Sequence, residues 1–335
     1  MHRREFIVRG AAAGAGAIAL SRCGGSSPGT PTSAAAAAVP GSSLNAIPGH
    51  MDTRFTRLVG CKLPIQNAGM GGVGSAELAV AVARAGGLGM VPSNIEAPQG
   101  EGVVGVNFLV PDGYDLDAIA AAAKTARVVE FFYAGPEREP VTAAHDAGAL
   151  VSWQVGSRDE ARAAVDAGCD LIVAQGIEAG GHVRGKERLD VLLPQVRKVV
   201  GETPVVAAGG IATAERVAAL MQAGADAVRV GTRFVVAPEC DAHPGYVKAL
   251  LAARGAQDTA LTEQFNEGWP NAPHRVLASA LRAAKKKGWH RVTPPSSRVA
   301  GPVDFMALYA GEGVGDVRRV EPAADIVKDL MRLLA

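Results

Sequence analysis

At 335 residues and 48% hydrophobic, the chain can bury a large core in one or two domains. Thirty-four basic and 33 acidic residues are interspersed for a net charge of +1, which leaves no basic stripe for a nucleic-acid groove. The four cysteines, Cys23, Cys61, Cys169 and Cys240, lie far apart without a CxxC pair, which argues against a metal site and a disulfide framework.

The N-terminus reads as a targeting segment. Arg3-Arg4 precede the apolar pair Phe6-Ile7, and Gly10–Leu20 is uncharged and mildly apolar but too short to span a bilayer. Residues 1–23 are therefore expected to be a twin-arginine export signal, placing the mature protein in the periplasm or cell envelope. Cys23 follows Leu20-Ser21-Arg22, an arginine that suits a lipoprotein cleavage site poorly. Lipidation there would be the route to a membrane. The Gly/Ser/Pro/Ala-rich residues 24–55 are expected to be a flexible linker.

From residue 62 short β-like runs alternate with helical patterns, as in parallel βα units. The runs are Leu63–Asn67, Leu88–Pro92, Val103–Val110, Arg127–Tyr133, Leu150–Val155, Leu171–Gln175, Pro204–Ala208 and Ala227–Phe234. Ala-rich helical stretches lie between them (Ala76–Ala85, Leu116–Thr125, Arg158–Ala167, Ala214–Ala223). Several end in Ala-Gly, where glycine supplies a left-handed cap: Gly86, Gly148, Gly168 and Gly224. Eight runs favour a closed sheet, because closure removes both edges, so residues 56–238 are expected to form a (β/α)8 TIM barrel. Residues 239–335 break the pattern. Helical pieces at Tyr246–Ala253, Val276–Lys287 and Ala324–Leu334, with Trp269 between the first two, predict a helical extension completing or covering the barrel. Lys285-Lys286-Lys287 reads as a solvated helix end.

Two turns carry the first chemical signal. Val205–Ala208 runs into Gly209-Gly210 and a helix near Thr213, and Val228–Val230 runs into Gly231-Thr232. Bare backbone lets N–H groups approach an anion, a following helix N-terminus adds its dipole, and the turns after strands seven and eight are where barrels commonly hold phosphate. The second signal is Ala174-Gln175-Gly176-Ile177-Glu178-Ala179-Gly180-Gly181-His182 at the end of strand six. His182 at this barrel mouth is a candidate for proton exchange near neutral pH or for binding an anionic substrate. Gln175 could point its amide into the same mouth, and helix capping or a salt bridge would explain Glu178. Gly69-Met70-Gly71-Gly72-Val73-Gly74, with Glu96 downstream, fits GxGxxG, but eight strands and a late phosphate motif argue against a dinucleotide fold.

Pro64–Met70, Ala85–Gly89, Ala174–His182, Pro204–Ile211, Gly224–Phe234, Gln264–Pro270 and Ala272–Arg275 together resemble the successive motifs of the nitronate monooxygenases, over about residues 60 to 280. The resemblance implies FMN held by residues matching Asn67, Gly69, Met70, Asn107, Gln154, Gln175, Gly180, Gly181, Ala208, Gly209, Gly210, Gly231 and Thr232, the phosphate on the last two turns. Asn67–Gly72 would pack backbone against the flavin ring, and His182 matches the family's active-site histidine. Gln154 departs from members carrying lysine there, and a neutral amide stabilises a reduced, anionic flavin less than an ammonium does. The implied reaction is oxidation of a nitronate by O2 to a carbonyl compound and nitrite, with His182 orienting or deprotonating the substrate. Flavin enoyl-ACP reductases keep a similar Glu-Ala-Gly-Gly-His run, so an NAD(P)H-dependent FMN reductase of the enoyl-ACP or quinone type is an alternative. A non-catalytic phosphate-ligand barrel is another. A twin-arginine route carries folded cargo, as a cofactor-loaded enzyme requires.

Overall fold

Eight short strands pair in parallel and close on themselves: β1 (Ile65–Asn67), β2 (Leu88–Pro92), β3 (Val103–Leu109), β4 (Val128–Phe132), β5 (Leu150–Val155), β6 (Leu171–Gln175), β8 (Val205–Ala208) and β9 (Ala227–Val230). The two-residue β7 (Gly181–His182) lies outside this barrel. The last strand returns to the first, Ile65 opposite Val228 and Asn67 opposite Val230. This computed structural model describes residues 49–334 apart from 101, 111 and 112, so the expected export signal, Cys23 and most of the linker lie outside the described residues. No helix among the described residues is long and apolar enough to cross a membrane.

The chain folds this way because its local signals agree. Ser75, Ser157 and Thr213 accept hydrogen bonds from the first-turn N–H groups of Leu78, Glu160 and Arg216 and so start three of the outer helices. The glycines expected to end helices do so in left-handed backbone, with φ of 101° at Gly86, 99° at Gly148, 102° at Gly168 and 101° at Gly224. Side chains alternate along each strand between helix-facing and barrel-filling positions. The lower interior is apolar (Leu88, Met90, Val128, Leu171, Val173, Val206) and is plugged by Phe55 and Val59 of the helix Arg54–Val59. Arg54 and Phe55, expected in the linker, therefore belong to the folded unit, with Thr53 as the N-cap.

Two expectations are corrected. The eighth run does not continue to Phe234: β9 ends at Val230, Gly231 bends the chain, and Thr232–Val235 is one helical turn. The extension is not purely helical either. Its β10 (Thr259–Thr262) and β11 (His274–Leu277) form an antiparallel sheet with β7, in the order β10-β11-β7. The register sets His274 opposite His182, so the extension fixes the loop expected to carry the chemistry. The closing helix Ala323–Met331 buries Ile326, Val327, Leu330 and Met331 against the helices Ala76–Arg84 and Ala214–Gln222. It thereby fills the eighth place in the helical ring. Residue 238 is thus no boundary of the barrel.

Candidate active site

A cavity of about 410 Å³ opens at the C-terminal ends of the barrel strands. This is the end at which barrel enzymes place their chemistry. Both glycine turns and His182 line it. At the first turn Gly209 and Gly210 take φ of 125° and 65°, which a residue with a Cβ rarely adopts. The N–H groups of Gly209, Gly210 and Ile211 have no acceptor among the described residues and are free to take an anion. The second turn differs. Gly231 has an ordinary φ of −112°, and a Cβ there would meet only Ala68, at 3.6 Å. Nothing in the protein demands glycine at 231, whereas a ligand laid against the turn would. Thr232 Oγ1 accepts from Gly311 N at 3.0 Å, and Gly313 lines the same end, so the extension closes the cradle.

The floor is polar. Met70 (φ 44°), Asn107, Gln154, Gln175 and Arg229 line it at the tops of five strands or the turns that follow them. Asn107 Nδ2 donates to the buried Glu130 at 2.8 Å, and Gln154 Oε1 accepts from Arg229 Nη1 at 2.6 Å. Gln175 does not aim its amide into the mouth as expected. It donates to His182 O at 2.9 Å and accepts from Arg184 N at 3.4 Å, clasping the His182 loop. Glu178 is a capping residue: its carboxylate accepts from Leu189 N at 3.0 Å, at the start of the helix Leu189–Arg197.

His182 sits among rings. It stacks on Trp269 at 4.0 Å between centroids, with His274 at 5.2 Å and Tyr309 at 5.6 Å. His274 is fully buried and of fixed tautomer. Its Nδ1 faces Ala272 O at 2.8 Å and must carry the hydrogen, while Nε2 accepts from Phe265 N at 3.3 Å. The Nε2 of His182 is enclosed without a partner. Such an orphan costs about 1–3 kcal/mol, a cost that functional sites tolerate. Burial, and secondarily His274, push the His182 imidazole down to about 3. It is therefore neutral at neutral pH, and the expected proton exchange near neutrality does not suit the ring as it stands. The unfolded chain protonates near 6.5 while the folded chain resists until about 3, so stability present above 6.5 is lost as pH falls across that window. We expect the wild type to lose stability relative to His182→Asn between pH 6.5 and 4, by up to about 1.4 kcal/mol per pH unit. Denaturant midpoints that run parallel for the two proteins would contradict this.

Of the residues expected at the cofactor, Met70, Asn107, Gln154, Gln175, Gly180, Gly181, Ala208, Gly209, Gly210, Gly231 and Thr232 line the cavity. Asn67 and Gly69 do not. Asn67 ties β1 to β2 through Met90, accepting from its N and donating to its O, both at 2.8 Å. Gly69 makes room for Asn107, whose Cβ would lie 2.6 Å from a Cβ at 69. Arg229, Tyr309 and the ring of Trp269 also line the cavity, none of them expected there from the sequence. Charged Glu130 and Arg229 each stand inside an otherwise apolar strand run, a signal that could have found the first of these.

A (β/α)8 barrel with an anion cradle, a polar floor and a half-buried histidine at its C-terminal end defines a barrel enzyme. Residues 100–332 match the family model described as nitronate monooxygenase. The chain is 28% identical to a nitronate monooxygenase of Pseudomonas aeruginosa over 85% of its own length and 99% of the relative's. It is 34% identical to (3aS,4S,5R,7aS)-5-hydroxy-7a-methyl-1-oxo-octahydro-1H-indene-4-carboxyl-CoA dehydrogenase of Rhodococcus jostii, over 68% of this chain and 66% of that one. The crystal structure of nitroalkane oxidase from Streptomyces ansochromogenes superposes with a TM-score of 0.68 at 30% identity, covering 84% of this chain and 97% of the other. The chain belongs to the nitronate monooxygenase family, a family of flavin-dependent oxidoreductases.

Proposed function

We propose that this enzyme binds FMN in the barrel-mouth cavity and oxidises alkyl nitronates with O2 to a carbonyl compound and nitrite. The observation carrying this reading is that His182 and the turns at 209–210 and 231–232 line one cavity. The residues suit the cofactor: unpaired backbone N–H groups at Gly209–Ile211 for a phosphate, a needless glycine at 231, and amide side chains at 107 and 154 for a heteroaromatic ring's edge. When bound, the flavin accepts electrons from the substrate and passes them to O2. His182 hydrogen-bonds a nitro oxygen as a neutral ring, and the stacked Trp269 restricts its orientation.

An imidazole held at about 3 is a poor base. That favours a substrate ionised in solution over a neutral nitroalkane whose α-proton the enzyme must remove. Nitrite release under air should therefore be at least roughly tenfold faster from a pre-ionised alkyl nitronate than from its parent nitroalkane at pH 7. An FMN-loaded enzyme that releases no nitrite from propionate 3-nitronate would exclude the reading. The dehydrogenase relative supports a second reading, flavin-dependent redox chemistry on a thioester. Rapid anaerobic bleaching of the flavin by NADH or NADPH would favour the reductase version. Arg3-Arg4 and the apolar stretch behind them support delivery of the folded enzyme by the twin-arginine route.

A further inference from the structure

Four donors converge on the Glu130 carboxylate inside the barrel. Asn107 Nδ2 reaches Oε1 at 2.8 Å, Gln66 Nε2 and Ser152 Oγ reach Oε2 at 3.1 Å and 3.5 Å, and Arg229 Nη1 forms an ion pair with Oε1. The two charges are not placed alike. Glu130 is fully buried beneath the floor, whereas Arg229 lines the cavity. Its Nη1 is shared between Glu130 and Gln154, and its Nε and Nη2 have no acceptor among the described residues. The pair is a dipole with its positive end toward the cavity. Stability alone does not explain it, since buried ion pairs are often replaced by apolar residues of similar volume without loss, and the interior just below is apolar.

We propose that Arg229, held by Glu130, is the electrostatic base of the flavin site: it favours the negative charge that the ring system gains on reduction and so raises the cofactor's potential. This rests on the flavin reading of the cavity. A cation close to a poorly solvated ring acts more strongly than one in water, and the hydrogen bonds around Glu130 keep the guanidinium from turning away. Gln154, itself uncharged, is held by Arg229 so that its NH2 group is left for the ligand.

The test is the equilibrium reduction of the full-length FMN-loaded protein against an indicator dye, with thermal melting to confirm folding. Glu130→Gln leaves the guanidinium less compensated and should raise the potential. The double variant Glu130→Gln/Arg229→Gln removes both charges, keeps polar side chains at both places, and should lower it. A tenfold change in the reduction equilibrium, about 30 mV for a two-electron couple, is the expected size in each direction. Should Glu130→Gln fail to fold, the double variant decides alone. A folded, flavin-loaded double variant with the wild-type potential would overturn the inference, as would two shifts of the same sign. A change in melting temperature at constant potential would make the pair structural only. Wild-type protein that never retains flavin would overturn the reading of the cavity itself, and this inference with it.

Discussion

His182→Asn is expected to keep its flavin and lose roughly 10²- to 10³-fold in turnover, the usual cost of removing one placed hydrogen-bond donor at a developing charge. The side chain belongs to the aromatic wall of the cavity. The unpaired N–H groups that suit the phosphate are on the turn after β8, and the charged and amide groups of the floor that face away from the His182 loop come from β3, β5 and β9. The variant loses the ring stacked on Trp269, which costs about 0.5–1.5 kcal/mol, and it also removes an orphaned buried nitrogen, so net stability should change little. Asparagine can still donate a hydrogen bond, but its shorter amide cannot occupy the place the stacked ring fixes. The visible spectrum gives occupancy, and nitrite release under saturating nitronate gives turnover. Unchanged turnover would remove His182 from the reaction.

Gly231→Val is expected to leave the apoprotein as stable as the wild type and to weaken FMN binding at least tenfold, about 1.4 kcal/mol. The position separates binding from folding in a way Gly210 does not. At Gly210 φ is 65° and a Cβ would stand 3.2 Å from Glu178 Cγ, so substitution strains the protein whether or not a ligand is present. At Gly231 φ is −112°, so no left-handed strain arises, and a Cβ meets only Ala68. Losing glycine there even lowers the entropy of the unfolded chain slightly. The new methyl groups would stand at the cavity wall that Gly231 and Thr232 line. Fluorescence titration of the apoprotein with FMN measures the effect. Equal affinity in variant and wild type would place the phosphate elsewhere.

Much of the barrel was legible because its signals are local. Short apolar runs and Ala-Gly helix ends each act within a few residues, and six of the eight runs matched their strands to within a residue at each end. β1 began two residues late because Pro64 has no N–H to give the ladder and pairs only through its carbonyl, which accepts from Val228 N at 3.0 Å, and β9 stopped early because the chain bends at Gly231. The glycine turns and His182 were legible for the same reason, since turn chemistry is written where the turn occurs. The aromatic wall was not. Trp269 and Tyr309 reach His182 only because β11 pairs with the two-residue β7, a contact between residues some ninety positions apart that no periodicity records. Asn67 shows a role no motif records. Its side-chain amide is spent on the strand beside it, joining β1 to β2 through Met90.

Anaerobic mixing of the FMN-loaded protein with an alkyl nitronate tests most directly whether one cavity brings a nitronate, a neutral histidine and a flavin together. The flavin's visible band should bleach on mixing and recover when air is admitted, with nitrite in solution. A band that stays unchanged with nitronate but bleaches with NADPH would contradict the account.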